Sequence, residues 1–138
     1  MTAKDFLKQY EYANQRANRL RESYETELQR IDAIGSTLSG DGQPHGTGVS
    51  RKTEDKAIKL ADAAKAWKEA ELDALEEKQK VFNLIWDIPD VEGEVLYERY
   101  INLRKWEDVA ETIHYSLQGV FSAHRRALRI VERRLADE

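Results

Sequence analysis

Cysteine is absent from the 138 residues, and only two prolines occur. No disulfide framework, cysteine zinc site or thiol nucleophile can therefore form, and nothing ties the chain to an oxidising compartment. Apolar runs are short, far below the ~20 residues that a membrane-spanning helix needs. The opening MTAKDFLKQYEYANQR mixes acidic, basic and polar residues, unlike a signal peptide, so a soluble cytoplasmic protein is expected. Catalytic constellations are also missing. His45, His114 and His124 have no metal-ligand spacing, and the glycine-rich GDGQPHGTG lacks the G-K-[ST] ending of a phosphate-binding loop. No serine falls with a histidine and a carboxylate in a strand-turn-helix frame, and Glu76-Glu77 belongs to a solvated helical face. The residues point away from an enzyme, a cofactor or a metal.

Charge, by contrast, is plentiful. Asp, Glu, Lys and Arg make up 35% of the chain, against the ~25% of ordinary globular domains, which signals much exposed helix surface. The formal net charge is −4, but its distribution is uneven. Residues 1–113 hold 17 basic and 23 acidic side chains, whereas residues 114–135 hold five arginines and one glutamate. A basic block on an acidic carrier points to a polyanionic partner for the C-terminal end alone.

Glycine and proline divide the chain into segments. Gly35, Gly40, Gly42, Gly46 and Gly48 fall with Pro44 in GSTLSGDGQPHGTGVSRK, so residues 35–52 are predicted as a flexible loop. Before it, Phe6, Tyr10, Ala13, Ala17, Leu20, Tyr24, Glu27, Ile31 and Ile34 alternate steps of four and three. That spacing predicts one long helix over residues 3–34 with a heptad seam. After the loop, Thr53, Glu54 and Asp55 open a second helix predicted over 53–87. Its stripe is Leu60, Ala64, Trp67, Glu71, Ala74, Lys78, Val81 and Ile85, widened by Leu72, Leu75, Phe82 and Trp86. The expected fold is all-α: a long antiparallel, coiled-coil-like hairpin in 1–88 that serves oligomerisation, then a second domain in 89–138.

Beyond Pro89 the elements shorten. Asp90 is expected to cap a helix over 91–102, Leu103-Arg104-Lys105 to connect, and Trp106–Ile113 to form a two-turn helix. His114-Tyr115 makes the turn, and Ser116 caps a last helix reaching Leu135. These are the dimensions of a helix-turn-helix. Ala110 supplies the small residue at the helix crossing, while Val109, Ile113, Tyr115, Val120 and Ala123 supply its core. His114 stands where positive φ is required, a conformation in which histidine is enriched among non-glycine residues.

In that frame the outer face of the last helix carries Leu117, Gln118, Phe121, Ser122 and Arg125 as base-reading candidates. Gln118, Ser122 and Arg125 can reach base edges, and Leu117 or Phe121 a thymine methyl. Arg104, Lys105, Arg126 and Arg129 are the phosphate candidates, with Arg133 and Arg134 further along the same helix.

The terminal stretch RYINLRKWEDVAETIHYSLQGVFSAHRRALRIVERRL resembles the promoter-reading region 4 of bacterial sigma factors, through Trp106-Glu107-Asp108-Val109-Ala110, Ser116 and Ala127-Leu128. The whole chain is similar to the small sigma-like phage regulators of late transcription of the ArpU and RinA groups. The shared features include the opening Thr2–Tyr10, two long helices about a Ser/Thr/Gly loop, and the terminal Arg99-Tyr100-Ile101, Trp106, Tyr115-Ser116 and His124–Leu128. The resemblance implies a sequence-specific regulator, an activator of late genes, acting on double-stranded DNA as a homodimer in the cytoplasm of a bacterial host cell. Host RNA polymerase is an implied second partner. Leu117 and Phe121 replace charged residues of the sigma pattern, so its promoter preference does not carry over. A phage DNA-packaging recognition subunit and a polymerase-binding adaptor without DNA contact are the alternatives to a regulator.

Overall fold

The computed structural model describes the backbone of residues 1–38 and 47–137 and the side chains of 1–32 and 52–137. Among the described residues the protein is all-α and has no strand. Helices α1 (Ala3–Leu38) and α2 (Thr47–Ile85) are long; α3 (Asp90–Leu96), α4 (Trp106–Ile113) and α5 (Leu117–Ala136) follow. No described helix is long and apolar enough to cross a membrane.

Both long helices reach into the segment expected as a loop over 35–52. α1 continues to Leu38 rather than stopping at 34, and α2 begins at Thr47 rather than 53. A glycine costs a helix about 1 kcal/mol, too little to end one that is already propagating. Residues 39–46, the remainder of that expected loop, lie outside the described residues. The start of α1 is a reciprocal capping box. The Asp5 amide donates to Thr2 Oγ1 at 3.1 Å, and the Thr2 amide to Asp5 Oδ2 at 3.2 Å.

The chain forms two compact units, Met1–Ala13 with Asp73–Glu138 and Asn14–Leu72. This division replaces the expected boundary at 88/89, and the core shows why. Ala3 and Leu7 of α1 and Val81, Leu84 and Ile85 of α2 are buried in one cluster with Leu96, Tyr100, Ile101, Ala127 and Val131. The ends of the long helices therefore belong to the C-terminal core, because their apolar seams find their fullest burial there. A second cluster joins Val95, Val109, Ala110, Val120 and Ala123, with Val91, Trp106 and Ile113 packed against it.

The middle unit, Asn14–Leu72, is held differently. Tyr24 stacks on Trp67 with ring centroids 5.4 Å apart, and Ala17 and Ala70 are its buried side chains among those described. In the terminal unit, Lys78 lies over the Tyr10 ring at 5.8 Å.

The segment after α2 departs from the expected single helix over 91–102. Asp90 does not act as a side-chain cap; it adopts φ 64°, a left-handed conformation that a short polar side chain tolerates. α3 then widens into a π-helical turn, Tyr97–Ile101, closed by the Asn102 amide on the Tyr97 carbonyl at 3.0 Å. The wider turn brings Tyr100 and Ile101 into the core together. At Gly93 the Ile88 carbonyl oxygen passes within 1.9 Å of where a Cβ would stand, so only glycine fits.

Candidate nucleic-acid interface

α4, its turn and α5 follow the sequence closely. Glu107 and Asp108 occupy the first turn of α4, where the helix dipole favours negative charge. At its other end His114 adopts φ 60° and ψ 43°. The His114 amide donates to the Glu111 carbonyl at 3.3 Å and the Tyr115 amide to the Ala110 carbonyl at 3.0 Å. This pair of bonds is a Schellman cap with histidine in the left-handed position. Ser116 then has extended geometry, and its Oγ accepts from the Gly119 amide at 3.1 Å. An added Cβ at Gly119 would stand 3.2 Å from that Oγ and 3.3 Å from the Tyr115 ring, so the cap and ring close tightly over this glycine.

The expected core residues Val109, Ala110, Val120 and Ala123 are buried, and Ile113 is half-buried. Tyr115 is the exception. It is 48% exposed, because its ring leans over Gly119 instead of entering between the helices. Ala127 and Val131 continue the buried side of α5 into the other cluster.

Opposite that buried side, Gln118, Ser122, Arg125, Arg129 and Arg133 follow steps of four, three, four and four, which sets them on one outward face. Gln118, Arg125, Arg129 and Arg133 are exposed and Ser122 is half-buried. The Arg125 guanidinium donates to Ser122 Oγ at 3.2 Å, so its position is defined without its charge being neutralised. Leu117 and Phe121 are also at the surface, 40% and 36% exposed. The Phe121 ring is partly committed, meeting Trp106 edge-on with centroids 5.3 Å apart.

The phosphate candidates separate into two groups. Lys105 and Arg129 are exposed and make no ion pair with the described residues. Arg104 and Arg126 are internally paired: Arg104 contacts Glu98 at 2.6 Å, and Arg126 contacts Glu92 at 2.9 Å. The hydrogen bond from Arg126 holds the Glu92 carboxyl below its usual range, consistent with a persistent pair. Arg134 is a structural residue, donating to the Leu84 carbonyl at 2.8 Å and to the Asp87 carboxylate. Its hydrogen bond to Asp87 likewise lowers that carboxyl's pKa.

His124, which in sequence adds to the basic block, adds no charge to it. The residue is 7% exposed and its Nε2 lies 2.6 Å from the Tyr100 hydroxyl, in a hydrogen bond whose direction the imidazole tautomer sets. Burial first, then the charges of Lys4 and Arg99, push the imidazole down to about 4, while burial pushes the Tyr100 phenol up to about 12. Both groups are neutral at physiological pH. Trp106 completes this support, edge-on to His124 at 4.7 Å with the Arg99 guanidinium 4.6 Å over its own ring. Arg99 also donates to the Arg104 carbonyl at 2.8 Å, so the approach to α4 is braced from two sides. Sequence reasoning missed this buried polar group; the one signal for it was the i, i+4 spacing of Val120 and His124, which places histidine on the apolar side of α5.

Among the described residues no cluster of three or more His, Asp or Glu side chains could hold a metal ion. The chain matches no protein-family model, no curated protein and no solved structure.

Proposed function

We propose that the protein is a transcription regulator of phage type that binds double-stranded DNA through α5. The single observation carrying this reading is the outward face of α5. Gln118 and Ser122 there precede Arg125, Arg129 and Arg133, whose charges no described carboxylate neutralises. The amide and hydroxyl, with the Arg125 guanidinium, are of the type that reads base edges, and Arg129 and Arg133 further along the face are of the type that contacts phosphates. The turn geometry supports it as well, since a left-handed residue and a capped second helix are what a helix-turn-helix requires. The resemblance to sigma region 4 rests on this same segment, and the whole-chain resemblance to the ArpU and RinA regulators includes it. The latter makes late-gene promoters the expected targets. Lys105 joins Arg129 as a phosphate contact. Arg104 and Arg126 act by holding α4 and α5 on the fold, and pairing of two copies supplies a second reader for the other half-site.

Fluorescence anisotropy of labelled duplex at low salt tests the proposal. Binding is expected to fall steeply with added salt, as counterion release dictates. The double substitution Arg125→Ala/Arg129→Ala is expected to weaken it at least tenfold, and Arg129→Ala alone to lower the salt slope by about one. Absence of binding to any duplex, or unchanged binding by the double variant, overturns the reading.

A further inference from the structure

α2 carries two adjoining seams in its C-terminal half. Ala74, Val81 and Ile85 are buried, and half-buried Lys78 lies among them at the same spacing. One residue further round, Leu75, Phe82 and Trp86 are 61%, 37% and 64% exposed, with exposed Gln79 between them. Positions 75, 79, 82 and 86 are separated by four, three and four residues. This is the a/d spacing of a coiled coil, and it faces solvent. Past the end of the seam, Trp86 and Tyr97, 40% exposed, line a common groove.

We propose that this open seam docks a second copy of the chain, as an antiparallel α2–α2 pair about a two-fold axis between Lys80 and Val81. The seam is complementary to itself in that register. Leu75 of one copy meets Trp86 of the other, and Gln79 meets Phe82, so each of the four layers sets one smaller side chain against an aromatic ring. A parallel pair would instead place Trp86 on Trp86, crowding one layer. Gln79 donates to Asn83 Oδ1 at 2.8 Å, so one of its amide hydrogens keeps a partner beside Phe82, and a lone polar residue in the seam serves to fix the register. Leu75, Gln79, Phe82 and Trp86 expose on the order of 500 Å² per copy, hence about 1,000 Å² per pair when fully covered, where specific interfaces begin. An isologous two-fold contact also closes on itself, giving a dimer and no larger assembly.

The inference deepens the pairing element of the proposed function, and it is tested without DNA. Sedimentation equilibrium of the full chain is expected to give twice the 16.0 kDa chain mass. Leu75→Glu and Trp86→Glu are each expected to give the monomer with unchanged circular dichroism, since both side chains already face solvent. Ile58→Glu, at another exposed apolar site on α2, is expected to leave the dimer intact. A monomeric wild-type chain, or dimeric Leu75→Glu and Trp86→Glu variants, overturns the proposal.

Oxidative crosslinking tests the register, and the cysteine-free chain provides a clean background. A mixture of Leu75→Cys and Trp86→Cys chains is expected to form the disulfide between copies. Leu75→Cys alone is not, because the two positions 75 would lie eleven residues apart along the pair, about 16 Å. Efficient self-crosslinking of Leu75→Cys overturns the antiparallel register. A chain shown to be monomeric that still binds duplex would remove the pairing and leave the DNA-binding reading standing.

Discussion

The terminal unit and the middle unit are built from the same two long helices, yet they are stabilised by different means. In Met1–Ala13 with Asp73–Glu138, five helical segments converge, and Leu7, Val81, Val95, Leu96, Val109, Val120 and Val131 lose all or nearly all contact with water. In Asn14–Leu72 only Ala17 and Ala70 are buried among the described side chains, and Tyr24 and Trp67 are half-buried. Two helices alone enclose no third dimension, so their seam can be shielded but not surrounded. Heptad spacing is therefore equally good evidence for helix in both units, but it predicts a buried core only where further elements close over it.

That contrast places the largest effect at Gly93. Gly93→Ala is expected to cost about 3 kcal/mol or more, because the clash is with the Ile88 backbone, which cannot rotate away. Urea denaturation followed by circular dichroism would show it, and a shift below 1 kcal/mol would mean the terminal core is looser than its packing indicates. The next effect is pH-dependent and confined to the same unit. The unfolded imidazole of His124 titrates near 6.5 and the folded one at about 4, so as pH falls the unfolded chain takes up the proton first. Stability should be whole above pH ~6.5 and decline by roughly 2–3 kcal/mol toward pH 4. His124→Gln should flatten this interval, leaving the loss further down in pH where Asp87 and Glu92 take up protons and release their arginines. An unchanged acid slope in the variant would assign the decline to other groups.

The smallest effect belongs to the middle unit. Trp67→Ala is expected to cost only about 1–2 kcal/mol, the value of one aromatic stack and partial burial. A loss as large as that at Gly93 would break the contrast and show the middle unit to be as tightly coupled as the terminal one.

The DNA-reading candidate was legible in unusual detail. Ile113 ends α4, His114 takes the left-handed turn, Ser116 caps α5, and four of the five residues expected at the α4–α5 contact are buried or half-buried there. These features are local, set within a few residues by sterics and hydrogen bonds, and local rules suffice to find them. The fate of the arginines was not legible. Arg126 and Arg134 find acidic partners 34 and 47 residues away in sequence, whereas Arg129 and Arg133 find none among the described residues, and nothing in RRALRIVERR separates them. Tyr115, expected inside and found outside, misled because its position after the left-handed residue sends the ring over Gly119.

Periodicity, capping residues and the special backbone of His114 thus determined, from the amino acids alone, that the chain is helical and where the last two helices turn against each other. Only the tertiary structure decided that Ala3 and Leu7 share a core with Val131, that the π-helical turn delivers Tyr100 to His124, and that Leu75, Phe82 and Trp86 stay outside. The difference is one of range. Helices form by contacts three or four residues apart, whereas burial and ion pairing depend on which distant segments arrive to exclude water.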